Sequence, residues 1–294
     1  MICLRFVERA QLPDGRFHNR LSPPPERRWL DEVGSDDSNG RAVWALGLAA
    51  TRGTTDRRRK CALTRFEAGA RLRSPYPRTN AYAVLGAVEV LASRPQHAIA
   101  RSLLEIAASR LGGLSADPDW PWPEAHLAYD NARLAEARIA AGVALSDQEL
   151  LDQGLRLLRW LVNVETYGDH FSFTPVGGRG PNDPQPAFDQ QPIEAGSMAD
   201  ACSRAFDATG DERWARTSLR ATAWFLGAND VGVPLLDANT GGCSDGLEAG
   251  GCNGNQGAES TIAMIGALQQ ARRLQGEQFE WTPRRVLAAG NTSL

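Results

Sequence analysis

Helical segments follow one another along this chain almost without strands, and the loops between them alternate between short and long. Apolar residues recur at helical spacing over about 38–51, 56–72, 79–93, 96–112, 124–142, 146–166, 192–208, 211–227 and 257–274. Met1, Leu4 and Val7 share one face of a helix over 1–11. The turns at Arg52–Thr55, Arg94–Gln96, Val143–Leu145 and Gly210 are tight, whereas 12–37, 113–123, 167–191 and 228–256 are long. Ten helices in five hairpins, returning at intervals of roughly 40 to 70 residues, form a repeat architecture. A pattern of this kind leaves little room for any fold class but all-α.

The second helix of each hairpin is rich in small residues, and Gly47, Gly86, Gly142, Gly196 and Gly266 each lie in one. Glycine inside a helix costs about 1 kcal/mol relative to alanine, so its repetition predicts crowding in an inner layer wrapped by more charged outer helices. Loops longer than about 12–15 residues are usually functional or disordered. Here they hold distinctive side chains, so the inner helices are expected to aim their N-termini at one decorated rim. No domain boundary is visible. The expectation is a single domain over 1–294, beginning inside a truncated first helix. A weakly structured tail at 276–294 shows only slight helical promise near Arg284 to Ala289.

Composition narrows the partners. With 42% apolar residues in a chain of 294, a substantial core is attainable. The net charge of −3 gives no electrostatic reason to bind nucleic acid or an anionic membrane, and no apolar run could span a bilayer. The start MICLRFVERAQ has neither a basic-then-apolar leader nor a cleavage site, which points to the cytoplasm. Cys3, Cys61, Cys202, Cys243 and Cys252 are odd in number and scattered, as expected of reduced thiols. Cys243 and Cys252 could pair or bind metal, but no further ligands stand at zinc spacing. No metal or cofactor is expected. The glycine-rich stretch from Asn239 to Gly257 lacks the lysine-serine ending of a phosphate loop and reads as a flap.

The five lead-ins to the inner helices carry the polar chemistry. The first has His18 and Asn19, then Asp36, Asp37, Asn39 and Arg41. The second has Arg78, Thr79, Asn80 and Tyr82. The third is WPWPEAHLAYDNARL, with Trp122, Glu124, Tyr129, Asp130, Asn131 and Arg133. The fourth is FDQQPIEAGS, with Asp189, Gln190, Gln191 and Glu194, and the fifth is NGNQGAES, with Asn255, Gln256 and Glu259. Carboxylates, amides, arginines and aromatic rings recur while lysine is missing, a set that suits sugar hydroxyls and ring faces. Breaking a glycosidic bond needs one carboxyl as proton donor and a second as base or nucleophile.

Plainer roles compete for the same residues. Asp36, Asp37 and Ser38 can cap a helix. Asp130 and Arg133 can be an ion pair at i,i+3. Glu194 and Glu259 occupy the first turn of helices, where acids are favoured in any case. Trp120 and Trp122 serve equally as a hydrophobic plug or a sugar platform. Gln190 and Gln191, just before Pro192, have less structural excuse.

The segments FHNR, DEVGSDDSNGRAVWALG, WPWPE with YDNARL, FDQQPIEAGSM, WFLGANDVGVPLLD, and GGCSDGL with NQGAEST resemble a bacterial family. That family is a helical domain found alone or C-terminal to family 1-type glycosyltransferase domains, and its members are often labelled glycosyltransferases. It is similar to the six-hairpin (α/α) toroid superfamily of glycosidases and sugar epimerases. The resemblance runs from about residue 4 to 275. It implies an (α/α) hairpin toroid short of a full ring by one hairpin, a saccharide or glycan ligand, and possible partnership with a glycosyltransferase domain. The chain departs from similar proteins at Ala125, where a second acid is expected beside Glu124.

The resulting expectation is general acid–base chemistry on a glycosidic bond. Glu124 or Asp130 would be the acid, with Asp37, Asp189 or Glu194 as its partner. Arg41, Arg133, Asn131, Gln190, Gln191, Asn255, Gln256 and Glu259 would hold hydroxyls, with His18 and Asn19 as further polar contacts. Trp122 and Tyr129 would stack on a ring. The rival readings are a non-catalytic glycan-binding module serving a glycosyltransferase, and a sugar epimerase or isomerase.

Overall fold

The computed structural model describes residues 2–276. Met1 and the expected tail, with its helical promise at Arg284 to Ala289, lie outside the described residues. Ten helices account for most of the described chain: α1 (Ile2–Ala10), α2 (Asp36–Arg52), α3 (Asp56–Gly69), α4 (Pro77–Ser93), α5 (Ala98–Ala108), α6 (Ala132–Leu145), α7 (Gln148–Val164), α8 (Pro192–Thr209), α9 (Glu212–Trp224) and α10 (Ala258–Gln275). Two small antiparallel hairpins sit in the long loops. They are β1 (Thr166–Tyr167) with β2 (His170–Phe171), and β3 (Leu247–Glu248) with β4 (Gly251–Cys252). No helix of the described residues is long and apolar enough to cross a membrane. The cysteines are free thiols.

The chain forms two compact units. The first comprises the residues up to Gly112 together with Ala140–Leu151; the second comprises Gly113–Ile139 and the residues from Asp152 onward. In the first unit α2 packs on α4, with α3 against α2 and α5 against α4. Gly40 lies on Thr79, Gly47 on Gly86, and the Thr51 hydroxyl donates to the Glu89 carbonyl at 2.9 Å. Partner numbers rise together along both helices, so α2 and α4 run parallel. Glycine is required at this seam: a Cβ on Gly47 would stand 2.3 Å from the Gly86 carbonyl oxygen. Helix α4 starts with Pro77 in its first turn, where a missing N–H costs nothing. It is buried on nearly every side from Arg78 to Leu91, whereas α3 buries only Ala62, Phe66 and Gly69. That contrast separates an inner from an outer helix.

The second unit repeats the arrangement with α8, α9 and α10. Gly196 meets Ala263, the Ser203 hydroxyl donates to Gln270 Oε1 at 2.8 Å, and Arg273 pairs with Asp207 at 2.8 Å. Partner numbers again rise together, so α8 and α10 are parallel too. Gln191 stands at the N-cap of α8 and Pro192 opens it. Gly210 closes it in the left-handed conformation at φ 69°, which a side chain would resist. Beneath lies an aromatic core of Phe171, Phe173, Trp224 and Phe225, with successive ring centroids 5.0–5.5 Å apart.

Two expectations need correcting. The third inner helix does not begin near Glu124. It begins at Ala132, because Asp130 adopts φ 49° and the preceding chain bridges to another loop, Leu127 exchanging hydrogen bonds with Arg179. Glu124, Tyr129, Asp130 and Asn131 therefore belong to the lead-in and not to the helix. The glycine rule also fails once. A Cβ on Gly266 would meet nothing within 4 Å, so that glycine is not crowded, and Gly142 is pressed by the outer residue Leu151.

Candidate functional site

In the second unit the third and fourth lead-ins are joined by one carboxylate. Glu194, in the first turn of α8, accepts the Asp130 N–H, the Asn131 N–H at 3.1 Å and the Asn131 side-chain amide at 3.1 Å. All three residues are buried. Burial, then the charges of Glu165 and Asp130, push the Glu194 carboxyl up to about 8, against the pull of those N–H groups. Glu165 is likewise raised, to about 7, by burial; the Thr174 hydroxyl (2.7 Å) and N–H (3.0 Å) hold it. Arg133 faces Asp130 at 3.2 Å, Glu136 at 2.6 Å and Asp200 at 2.9 Å. Burial lowers its pKa, but Glu136, Asp130 and Asp200 outweigh that and hold it well above the ordinary value. Arg133 is thus committed to carboxylates of its own fold, which corrects its expected place on a ligand.

The fourth and fifth lead-ins are joined through Gln190. Its backbone exchanges hydrogen bonds of 3.0 and 2.8 Å with Leu247. Its buried side chain accepts the Phe173 N–H at 3.1 Å and donates to Asp230 at 2.6 Å. Gln190 is therefore a structural hub and is withdrawn as a sugar contact. Asp189, one residue earlier, is different. Among the described residues no donor reaches its buried Oδ1, and a Cβ on the facing Gly246 would stand 2.0 Å from that oxygen. Burial, then the charges of Glu248 and Asp245, raise the Asp189 carboxyl above its ordinary value. Asp245 is held the opposite way. The Ser260 side chain, the Gly257 N–H at 2.5 Å and the Asn255 amide donate to it, lowering its pKa despite some burial. Because Gly257 is the N-cap of α10, Asp245 also supplies that helix start with the acceptor its own cap residue lacks.

The other predicted residues scatter. Asn255 is engaged by Asp245. Gln256 accepts from the Thr240 hydroxyl at 2.9 Å and donates to Asp237 at 3.0 Å, so it braces the flap. Glu259 is exposed in the first turn of α10, and Gln191 makes no side-chain cap bond. Trp122 is buried against Trp160 at 5.7 Å, with Trp120 edge-on to Trp160 at 5.0 Å. This is the hydrophobic plug, and it removes Trp122 as a sugar platform. Tyr129 remains exposed. The backbone carbonyl of the half-buried Glu124 accepts from Trp120 Nε1 at 3.0 Å.

In the first unit Asp37 pairs with Arg41 at 2.9 Å, and Arg41 lies 4.7 Å over the Tyr82 ring. The N-cap of α2 is Ser35, whose hydroxyl accepts the Ser38 N–H at 3.2 Å, so Asp36, Asp37 and Ser38 follow the cap. His18 stacks on Trp29 at 4.8 Å and bonds the Asp31 carbonyl, while the Asn19 N–H donates to Asp31. These bonds tie the loop to itself. A groove of about 570 Å³ also lies in this unit, between α3 and α5, lined by Glu67, Arg71, Arg73 and Ile99 among others. It contains none of the predicted residues.

The arrangement therefore selects. Of the five nominated acids, Asp37, Asp130 and Glu194 are each engaged by a cation or by backbone N–H groups. Asp189 alone combines a raised pKa with an undonated oxygen. Its counterpart Asp245 was not among the nominated residues. The signal for it was present in GGCSDGL, an acid set between glycines where backbone can approach closely, but that stretch read as a flap. Among the described residues no group of three His, Cys, Asp or Glu side chains could hold a metal ion. No model of a known protein family matches the chain, and no curated protein is similar to it.

Proposed function

We propose that this protein is a carbohydrate-active enzyme acting on a glycosidic bond, with Asp189 as proton donor and Asp245 as its ionised partner. One observation carries the reading. Two neighbouring carboxyls sit in environments that drive their pKa values apart, one raised with no donor at its Oδ1 among the described residues and one lowered by three donors. Opposed tuning of this kind separates the acid from the base in carboxylate chemistry. Asp189 passes its proton to the leaving oxygen as the C–O bond breaks. Asp245 either takes a proton from the attacking water or attacks the sugar itself. The parallel pairs α2–α4 and α8–α10, each with intervening outer helices, support an (α/α) toroid as the scaffold, in keeping with the family resemblance. A cytoplasmic saccharide is the matching substrate.

The test is release of reducing ends from an oligosaccharide library. Asp189→Asn is expected to lower turnover by about 10²–10⁴-fold, with Asp245→Asn comparable and thermal melting reported alongside. Activity should fall as pH rises through the raised pKa of Asp189, since the donor must be protonated. Unchanged turnover in Asp189→Asn would remove the assignment. Glycan binding by calorimetry without any turnover would replace it with an accessory binding role.

A further inference from the structure

We infer that Asp230 is a positioning residue for Asp189, acting through Gln190. This rests on the reading of Asp189 as the proton donor. The Asp230 side chain is 1% exposed. Its Oδ2 accepts from Gln190 Nε2 at 2.6 Å, and its Oδ1 faces His170 Nε2 at 2.9 Å. A buried carboxylate with both oxygens engaged is a strong anchor, because charge-assisted hydrogen bonds are the firm ones and any loosening exposes an uncompensated charge.

Gln190 passes that anchorage on in two directions. Its side-chain oxygen accepts from the Phe173 N–H and from Trp224 Nε1 at 3.4 Å, fixing it to the aromatic core. Its backbone is clasped to Leu247 by two hydrogen bonds, which sets Gly246 against the Asp189 carboxyl. The Asp189 carbonyl accepts from the Val176 N–H at 2.7 Å, so its backbone is held from the other side as well. The absence of a donor at Asp189 Oδ1 thus depends on the Gln190–Leu247 clasp keeping its place. Asp230 makes the shortest of Gln190's side-chain bonds. Without it, Gln190 Nε2 retains Ala187 O at 2.9 Å and a long contact to Ser172.

The test is a carbon-13 NMR titration of the Asp189 carboxyl, assigned by its loss in Asp189→Asn, and it needs no substrate. In the unaltered protein Asp189 should titrate above the ordinary aspartate range. In Asp230→Ala it should fall back into that range as water and donors reach it. Asp230→Asn keeps an oxygen for Gln190 and an amide for the other tautomer of His170, so it should preserve the raised midpoint. Gln190→Met cuts the same link from the other end with nearly conserved volume, and it decides the matter if Asp230→Ala does not fold. A raised midpoint that stays unmoved in whichever of Asp230→Ala and Gln190→Met folds would overturn the positioning role and leave the donor assignment standing. An ordinary midpoint in the unaltered protein would overturn the donor assignment itself.

Discussion

The helix pairs α2–α4 and α8–α10 are built alike and finished differently. Both run parallel, both meet through small residues, and both begin in a long, polar lead-in. At the start of α2 each acid finds a donor: Asp36 accepts the Ser74 hydroxyl at 2.6 Å and Asp37 takes Arg41. Around the starts of α8 and α10 carboxyls are buried in excess of their cations, so Glu194, Glu165 and Asp189 are all raised. The scaffold therefore does not decide how these acids titrate; the ratio of donors to carboxyls at a helix start does. Where each acid is satisfied, the lead-in is architecture. Where one acid is left over, burial and neighbouring charge raise its pKa.

The sharpest way to break this contrast is to remove the acceptors. Glu194→Ala strands two backbone N–H groups and one amide in the interior. At about 1–3 kcal/mol for each unsatisfied group, the loss should reach about 3 kcal/mol or more in urea unfolding. Asp36→Ala in the first unit should cost less, about 1–2 kcal/mol, because it strands a single donor, the buried Ser74 hydroxyl. Equal losses would mean that the two lead-ins are not different in kind.

The shared part of the comparison has its own test. Gly47→Ala places a methyl against the Gly86 backbone, which cannot retreat like a flexible side chain. It should cost about 1–3 kcal/mol. Gly266→Ala enters open space and should instead stabilise by about 0.5–1 kcal/mol through helix propensity alone. Thermal melts of the two variants should move in opposite directions.

These two glycines also mark how far the sequence could be read. Helix order and the alternation of loop lengths were legible, because apolar periodicity and turn residues are local signals. Crowding at Gly47, Gly86 and Gly196 followed from glycine where alanine would be the better helix former, yet Gly266 has the same sequence signature and no neighbour. The start of α6 was misjudged because its position is set by long-range bonds: Leu127 to Arg179, and Asp130 and Asn131 to Glu194. The site suffered in the same way. Polar residues in the lead-ins marked segments to examine, but which carboxyl is raised and which is lowered depends on partners far away in the sequence, as Glu194 with Asp130 and Asn131 shows. Asp189 was nominated among equals, and Asp245 and Asp230 were passed over inside glycine-rich and apolar surroundings.

Buried excess acid also sets the pH dependence of stability. Unfolded glutamate titrates near 4.3, whereas burial pushes Glu165 and Glu194 up to about 7 and about 8 in the fold. Between those values the folded chain binds more protons than the unfolded chain. Stability is therefore greatest below the unfolded pKa and is lost as pH rises through the folded ones, at up to about 1.4 kcal/mol per pH unit for each group. Glu165→Gln keeps an acceptor for Thr174, removes one charge and relieves Glu194 of it, so the slope of urea midpoints between pH 5 and 8 should fall by about half or more. An unchanged slope would place the excess charge elsewhere.

The smallest effect is expected at the residue most open to two readings. Asp37 lies in the first turn of α2, a favourable place for an acid, and its pair with Arg41 is at i,i+4 with both side chains about 30% exposed. Helix dipole and ion pair together should contribute about 0.5–1 kcal/mol, and less at high salt. Asp37→Asn should therefore lower the melting temperature slightly and leave turnover near the unaltered value, since Arg41 still rests on the Tyr82 ring. A turnover loss near that of Asp189→Asn, with stability hardly changed, would show that a donor-satisfied acid also does chemistry. The rule that separates the two helix pairs would then fail at the very position where the fold offers it the plainest case.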